Sequence, residues 1–312
     1  MNLFGRRLIR MMPIVVAGGL LWFVVPMQEL SGAFRGISVL DIVALSALSV
    51  ALIGVSAIKW RAFLDQLHLE RKLTELFSLY LVGYFVNTFS PSFIGGDVVR
   101  SMMVGKSVDR ARTLAATFLE RYTGILSMLL MAVCACFGGA VVTPQILLLV
   151  MLATFALIAG SIVVSKGAHI FLAKILRVPE RLLSSMEIFQ TGLRMGFGNK
   201  KLFGQALLLS LVFHGLTIVN TAVVASAVGW SNYTWMGLAT VVPLILIVGA
   251  FPIAPQGLGI QEGAFVYFLS QLGATPAQAL AVAMVLRAKS LVLAVIGWLV
   301  VLRRPELYRR SE

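Results

Sequence analysis

Eight apolar runs, at roughly 11–26, 39–58, 74–89, 113–136, 144–165, 203–228, 234–251 and 276–302, alternate with short polar and basic stretches. Most approach the ~20 residues with which an α-helix crosses about 30 Å of hydrocarbon. Two of them, 74–89 and 234–251, are shorter, and each stops at a break rich in proline and glycine. The pattern predicts an all-α polytopic membrane protein with about six full spans and two interrupted segments. Composition changes nothing in this picture: 59% of residues are hydrophobic, 12% are charged, and the mean hydropathy is +0.94. A soluble domain is excluded on those grounds. The first run follows Arg6, Arg7 and Arg10 but lacks a small-x-small cleavage site with a polar exit, so it reads as a retained span.

The two breaks look like copies of each other. The first reads Asn87-Thr-Phe-Ser-Pro91-Ser-Phe-Ile-Gly95-Gly96-Asp97-Val-Val-Arg100, and the second Pro252-Ile-Ala-Pro255-Gln256-Gly257-Leu-Gly259-Ile-Gln-Glu262-Gly263, about 165 residues later. The apolar runs that follow also correspond. Ala111 to Arg121 and Ala277 to Arg287 are both ten residues apart, and each acid precedes its arginine by 24 or 25. A broken segment at matched positions of two halves marks the binding site of many transporters.

The net charge of +13 is distributed between the apolar runs rather than along one surface. Lys59, Arg61, Arg71 and Lys72 flank one loop. Arg100, Lys106, Arg110 and Arg112 flank a second. Lys166, Lys174, Arg177, Arg181, Arg194, Lys200 and Lys201 fill a third, and Arg303, Arg304, Arg309 and Arg310 end the chain. Clusters placed this way follow the positive-inside rule and favour anionic headgroups, so no nucleic-acid partner is expected. They put both termini inside. They also make 74–112 a re-entrant hairpin that enters and leaves on the inside, because a full crossing would strand four basic residues outside. No Lys or Arg occurs from Leu202 to Leu286, which suits a second hairpin, 234–272, entering from the outside. One membrane domain, 1–312, is therefore expected to hold two repeats, 1–140 and 141–312, of inverted topology. The amphipathic stretch Arg181–Met195 is expected to lie on the inner surface.

Chemistry has few carriers. Glu262 is the only Asp, Glu, Lys or Arg between Lys201 and Arg287, and a charge in hydrocarbon needs a partner or water. Asp97 and Glu262 read either as caps on the helices after the glycines or as counter-ions. Their natural partners, Arg121 and Arg287, fall near mid-membrane and either lock the repeats together or clamp a phosphate or carboxylate. Free N–H groups at Gly95, Gly96, Gly257 and Gly259 offer an anion site. Arg100 shares a helical face with Asp97 and would pair with it or meet a headgroup at the inner surface. Asn87 would cap or bond within the first break. Glu120 and Lys289 point to other faces than their arginine neighbours; Asp97, Glu262 and Glu120 are nonetheless the candidate charge-coupling residues, through which transport would couple to protons. Cys134 and Cys136 face apart, and His214 reads as a packed, hydrogen-bonded residue. No catalytic set, metal spacing or P-loop is present in the sequence, so neither an enzyme nor a cofactor is expected.

These motifs, Asn87-x3-Pro91-x3-Gly95-Gly96-Asp97-x2-Arg100 with Pro255-Gln-Gly-Leu-Gly259-Ile-Gln-Glu262-Gly263, resemble the lysylphosphatidylglycerol synthase transmembrane region, a flippase-like family also called UPF0104. Gln256 stands where the family's second motif has glycine. The resemblance covers nearly the whole chain. It implies translocation of an anionic lipid or lipid-linked phosphate across a bacterial or archaeal cytoplasmic membrane. The family's synthases add a soluble aminoacyl-transfer domain; none lies in these 312 residues, so lysylation of lipid by this chain is not expected. Transport of a small soluble anion, or a non-transporting partnership with a lipid- or glycan-modifying enzyme, stay open beside lipid translocation.

Overall fold

A computed structural model describes residues 32, 35–90, 94–105, 109–136, 144–167, 179–250 and 257–303. The expected span at 11–26, the break residues Pro91, Pro252, Pro255 and Gln256, and the basic tail lie outside them. The described residues form ten helices and no strand. In chain order these are α1 (Val39–Gln66), α2 (Leu73–Phe89), α3 (Ile94–Val104), α4 (Arg110–Cys136), α5 (Pro144–Ser165), α6 (Glu180–Gly198), α7 (Lys200–Ala227), α8 (Trp235–Gly249), α9 (Ile260–Ser270) and α10 (Pro276–Arg303).

Local sequence sets most of the boundaries. Ser38 and Asp41 form a reciprocal capping box at the start of α1, with the Asp41 N–H donating to Ser38 Oγ at 3.2 Å and the Ser38 N–H to Asp41 Oδ2 at 2.9 Å. Asn199 and Thr234 cap α7 and α8 by accepting from the N–H groups of Leu202 and Gly237. Pro276 opens α10, where its missing N–H leaves no helical bond unmade.

Five helices, α1, α4, α5, α7 and α10, are long and apolar enough to cross a membrane. They match five of the expected spans. The chain is thus an integral membrane protein. The interrupted segments appear as short helix pairs, α2 with α3 and α8 with α9; α2 has 17 residues and α8 has 15. The first expectation to fail is the end of α1, which runs to Gln66 rather than 58 and carries Lys59 inside the protein.

Two apolar cores hold the bundle. One gathers Trp60, Phe63, Leu64, Leu76, Leu79 and Leu119; the other gathers Leu238, Val242, Ile245, Phe265, Leu269 and Val282. Packing is paired across the two halves. The helix α2 lies on α10 as α8 lies on α4, α3 lies on α4 as α9 lies on α10, and α1 meets α7 directly. The helix α5 is peripheral and apolar outward, with Leu149 at 68% and Phe155 at 72% exposure, as suits a lipid-facing span. Expected as an interfacial helix, α6 docks on α4. A Cβ on its Gly192 would meet Ala115, one on Gly196 would meet Leu119, and Phe189 sits edge-on to Phe118 at 5.9 Å.

Close approach of backbones controls the α2–α10 crossing. Gly297 lies against the carbonyl oxygen of Leu81, so a side chain there has nowhere to go. Gly297→Val should destabilise the protein by about 1–3 kcal/mol through overpacking. Gly54→Ala, which meets open space, should lose nothing. Thermal unfolding of both variants in mild detergent checks the contrast.

Candidate functional site

The first break builds a charged cluster between α1, α3 and α4. A Cβ on Gly96 would collide with the Gly83 carbonyl and with Asn87, so α2 and α3 approach this closely only because Gly96 has none. The Gly96 N–H then donates to Asn87 Oδ1 at 2.7 Å. One residue later Asp97 stands in the first turn of α3. Arg121 donates to it side-on with two bonds, Nε to Oδ2 at 2.6 Å and Nη2 to Oδ1 at 2.7 Å. Arg100 Nε donates to Asp97 Oδ1 at 3.0 Å, and its Nη2 to Glu120 Oε2 at 2.7 Å. Lys59 Nζ pairs with Glu120 Oε1 at 3.3 Å and donates to Ser210 Oγ of α7 at 2.9 Å. The five ionisable groups form one continuous chain.

Aromatic rings close the inner end of this chain. The Arg100 guanidinium carbon lies 4.3 Å from the Trp60 ring centre and 4.1 Å from that of Tyr80, and the two rings meet edge to face. A cation held between two ring faces keeps part of the stabilisation that water would otherwise supply. Arg100 is 1% exposed, and Lys59 and Glu120 are also buried. Arg121 differs. It is the twelfth residue of α4, about 17 Å along the helix, yet its side chain is 48% exposed. Its Nη1 takes no part in the bonds to Asp97.

The second break is simpler. Gly257 and Gly259 hold φ values of +64° and +81°, which side-chain-bearing residues avoid. Glu262 then serves two partners. Its Oε2 accepts the Gly259 N–H at 2.7 Å, and its Oε1 accepts from Arg287 Nε. Cap and counter-ion are therefore the same carboxylate. Arg287 is the twelfth residue of α10 and only 13% exposed. Two residues on, Lys289 donates to Asn220 Oδ1 of α7 at 2.7 Å.

The structure brings Asp97 to Arg121 and Glu262 to Arg287, one pair at each break. It does not join the two pairs to each other by any hydrogen bond or ion pair among the described residues. Several expectations need correction. Arg100 cannot meet a headgroup at the inner surface, because Trp60, Tyr80 and two carboxylates enclose it. It is therefore no topology charge either. Glu120 does not face away from the site: its carboxylate bridges Lys59 and Arg100 and comes within 3.7 Å of Arg121 Nε. The N–H groups of Gly96 and Gly259 are engaged by Asn87 and Glu262 and offer no anion nest.

Lys59, Trp60, Tyr80, Ser210 and Asn220 went unrecognised in the sequence. One signal was present: the apolar stripe Ile53, Ala57, Trp60, Phe63 and Leu64 keeps helical spacing past the polar Lys59. His214 is packed, with Nε2 3.0 Å from the Gly124 carbonyl. Cys134 is exposed and free. Among the described residues no group of His, Cys, Asp or Glu could hold a metal.

Residues 10–297 match the family described as "Lysylphosphatidylglycerol synthase TM region". The chain belongs to that family. It is also 22% identical over 299 residues to "UPF0104 membrane protein" of Methanothermobacter thermautotrophicus, with 88% of each chain covered. No solved structure matches the chain. Both charged breaks of this lysylphosphatidylglycerol synthase TM-region protein lie within the matched residues.

Burial ranks the cluster's members. Arg100→Ala leaves Glu120 and Asp97 short of a partner in a sealed site and should destabilise by about 3–5 kcal/mol. Arg121→Ala should cost clearly less, since the side chain is half exposed and Asp97 keeps Arg100. Detergent melting temperatures of the two variants, with helicity followed by circular dichroism, test that order.

Proposed function

We propose that this protein moves a phosphate-bearing lipid headgroup between the leaflets of a bacterial or archaeal cytoplasmic membrane, with no chemical step of its own. The observation that carries the reading is Arg121. A bidentate arginine halfway along an apolar helix is exposed at 48%, so it faces water or an anionic ligand rather than packed protein. Its counterpart Arg287 is enclosed at 13%. One open and one enclosed arginine at matched breaks fits a site between the two halves that is exposed to one side at a time.

The paired packing of α1–α4 and α7–α10 supports two repeats, within 1–140 and 141–312, with α2–α3 and α8–α9 as re-entrant hairpins; the basic clusters between the apolar runs support both termini inside. The odd number of full crossings between the hairpins makes the repeats inverted. Arg121 holds the phosphate while the acyl tails remain in the bilayer. Asp97 competes for the same guanidinium and, while ionised, keeps it oriented for the lipid; the proton-gradient arm of the test below reads whether transport is proton-coupled.

The test is lipid translocation in proteoliposomes, with labelled phosphatidylglycerol and with polyprenyl phosphate, with and without a proton gradient. Arg121→Ala/Arg287→Ala protein, folded and inserted, should move lipid slower by about tenfold or more, the cost of losing a charge-assisted contact. Wild-type rates from that variant would sink the reading. Movement of soluble phosphate instead of lipid would replace the substrate class.

A further inference from the structure

The first cluster has a charge imbalance that the second lacks in its acid–arginine pair. Among the described residues Lys59, Arg100 and Arg121 face only Asp97 and Glu120, so three cations share two carboxylates and one positive charge is left over. Arginines stay protonated in proteins, and Lys59 sits in an ion pair with Glu120. The other groups around the cluster, Tyr80, Ser210, Trp60 and Asn87, bring no negative charge. Lys59 and Arg100 are sealed, so solvent screens neither of them. The single surplus therefore presents itself at the one member with an open edge, Arg121.

We propose that the Arg121 site is built to take one negative charge, and so selects a monoanionic phosphodiester over a dianionic phosphomonoester. The inference rests on the reading of Arg121 as the headgroup contact. A phosphodiester brings the cluster to neutrality, as the low-dielectric surroundings of α4 demand. A doubly ionised monoester would leave one uncompensated negative charge at mid-membrane. On this account Lys59 and Arg100 are positioning residues. They never touch the ligand, and they set the charge that it must carry.

Equilibrium binding to the purified full chain in neutral detergent tests this without any transport step. The probes are dioctanoyl phosphatidylglycerol, dioctanoyl phosphatidic acid and soluble glycerophosphoglycerol. The second ionisation of a phosphomonoester lies near about pH 6, whereas a phosphodiester has none. Between pH 6 and pH 8 the affinity of phosphatidic acid relative to phosphatidylglycerol should therefore fall by about tenfold or more. Taking the ratio cancels pH effects common to both lipids, and wild-type protein suffices.

Glu120→Gln raises the surplus to two and should move the preference towards phosphatidic acid. Lys59→Met removes the surplus and should weaken phosphatidylglycerol by about tenfold. Arg61→Gln, on the exposed pair with Asp65, controls for surface charge and should change nothing. Binding of glycerophosphoglycerol as tight as that of the lipid assigns the site to the phosphodiester alone; binding of the lipid only adds a requirement for tails.

A ratio that stays flat or rises with pH overturns the inference, as does wild-type protein that binds none of the three probes. Unchanged phosphatidylglycerol affinity in folded Lys59→Met protein overturns it too. Arg121-dependent transport with a flat ratio would remove the charge rule and leave the transport reading standing. The expected ratio without any transport would do the reverse.

Discussion

Charge buried at membrane depth has to be paired within the protein, and the arrangement of the first half follows from that demand. Asp97 serves two cations and Glu120 three, and Arg100 links the two acids, so α1, α3 and α4 are tied at one point. Lys59 extends the tie to Ser210 on α7 and so reaches the second half. The aromatic faces of Trp60 and Tyr80 do for Arg100 what solvent would otherwise do. Removing any inner member leaves a partner charged and dry, which makes the cluster structural.

Glycine makes those contacts reachable. Gly96 against Gly83, and Gly297 against the Leu81 carbonyl, bring backbones to distances that any Cβ would forbid. Without hydrophobic expulsion from lipid, helices in a bilayer associate largely through such close packing and through polar bonds. The short helices α3 and α9 are thereby held against α4 and α10, with Asp97 and Glu262 facing the arginine of the neighbouring helix. The two breaks solve the same problem with different parts. Asn87 accepts the free N–H at the first, whereas Glu262 does so itself at the second.

Much of the fold was legible because its signals are local. Five long apolar runs became five helices long enough to span, and both proline–glycine breaks separate short helices, since hydropathy and backbone permissiveness need no partner to act. The pairings Asp97–Arg121 and Glu262–Arg287 were readable from equal spacing in two copies. Lys59 was misread as a loop charge because apolar content drops after residue 58, although the helical stripe continues through Trp60 and Phe63. The Arg100–Asp97 pair was readable from their shared helical face, but the second partner of Arg100, Glu120, and the cations that reach Glu120 lie on other helices. A side chain's face on its own helix does not say which charges approach it from outside.

The sequence by itself determined that the chain is helical and crosses a membrane, where its helices break, and which acid accompanies which arginine. Those properties depend on hydropathy, helix period and glycine or proline, all of which act over a few turns. Only the tertiary structure decided that Arg121 is open while Arg100 and Arg287 are enclosed, and that Lys59 belongs to the same cluster. Exposure and electrostatic compensation are sums over neighbours from several helices, so no single segment contains them.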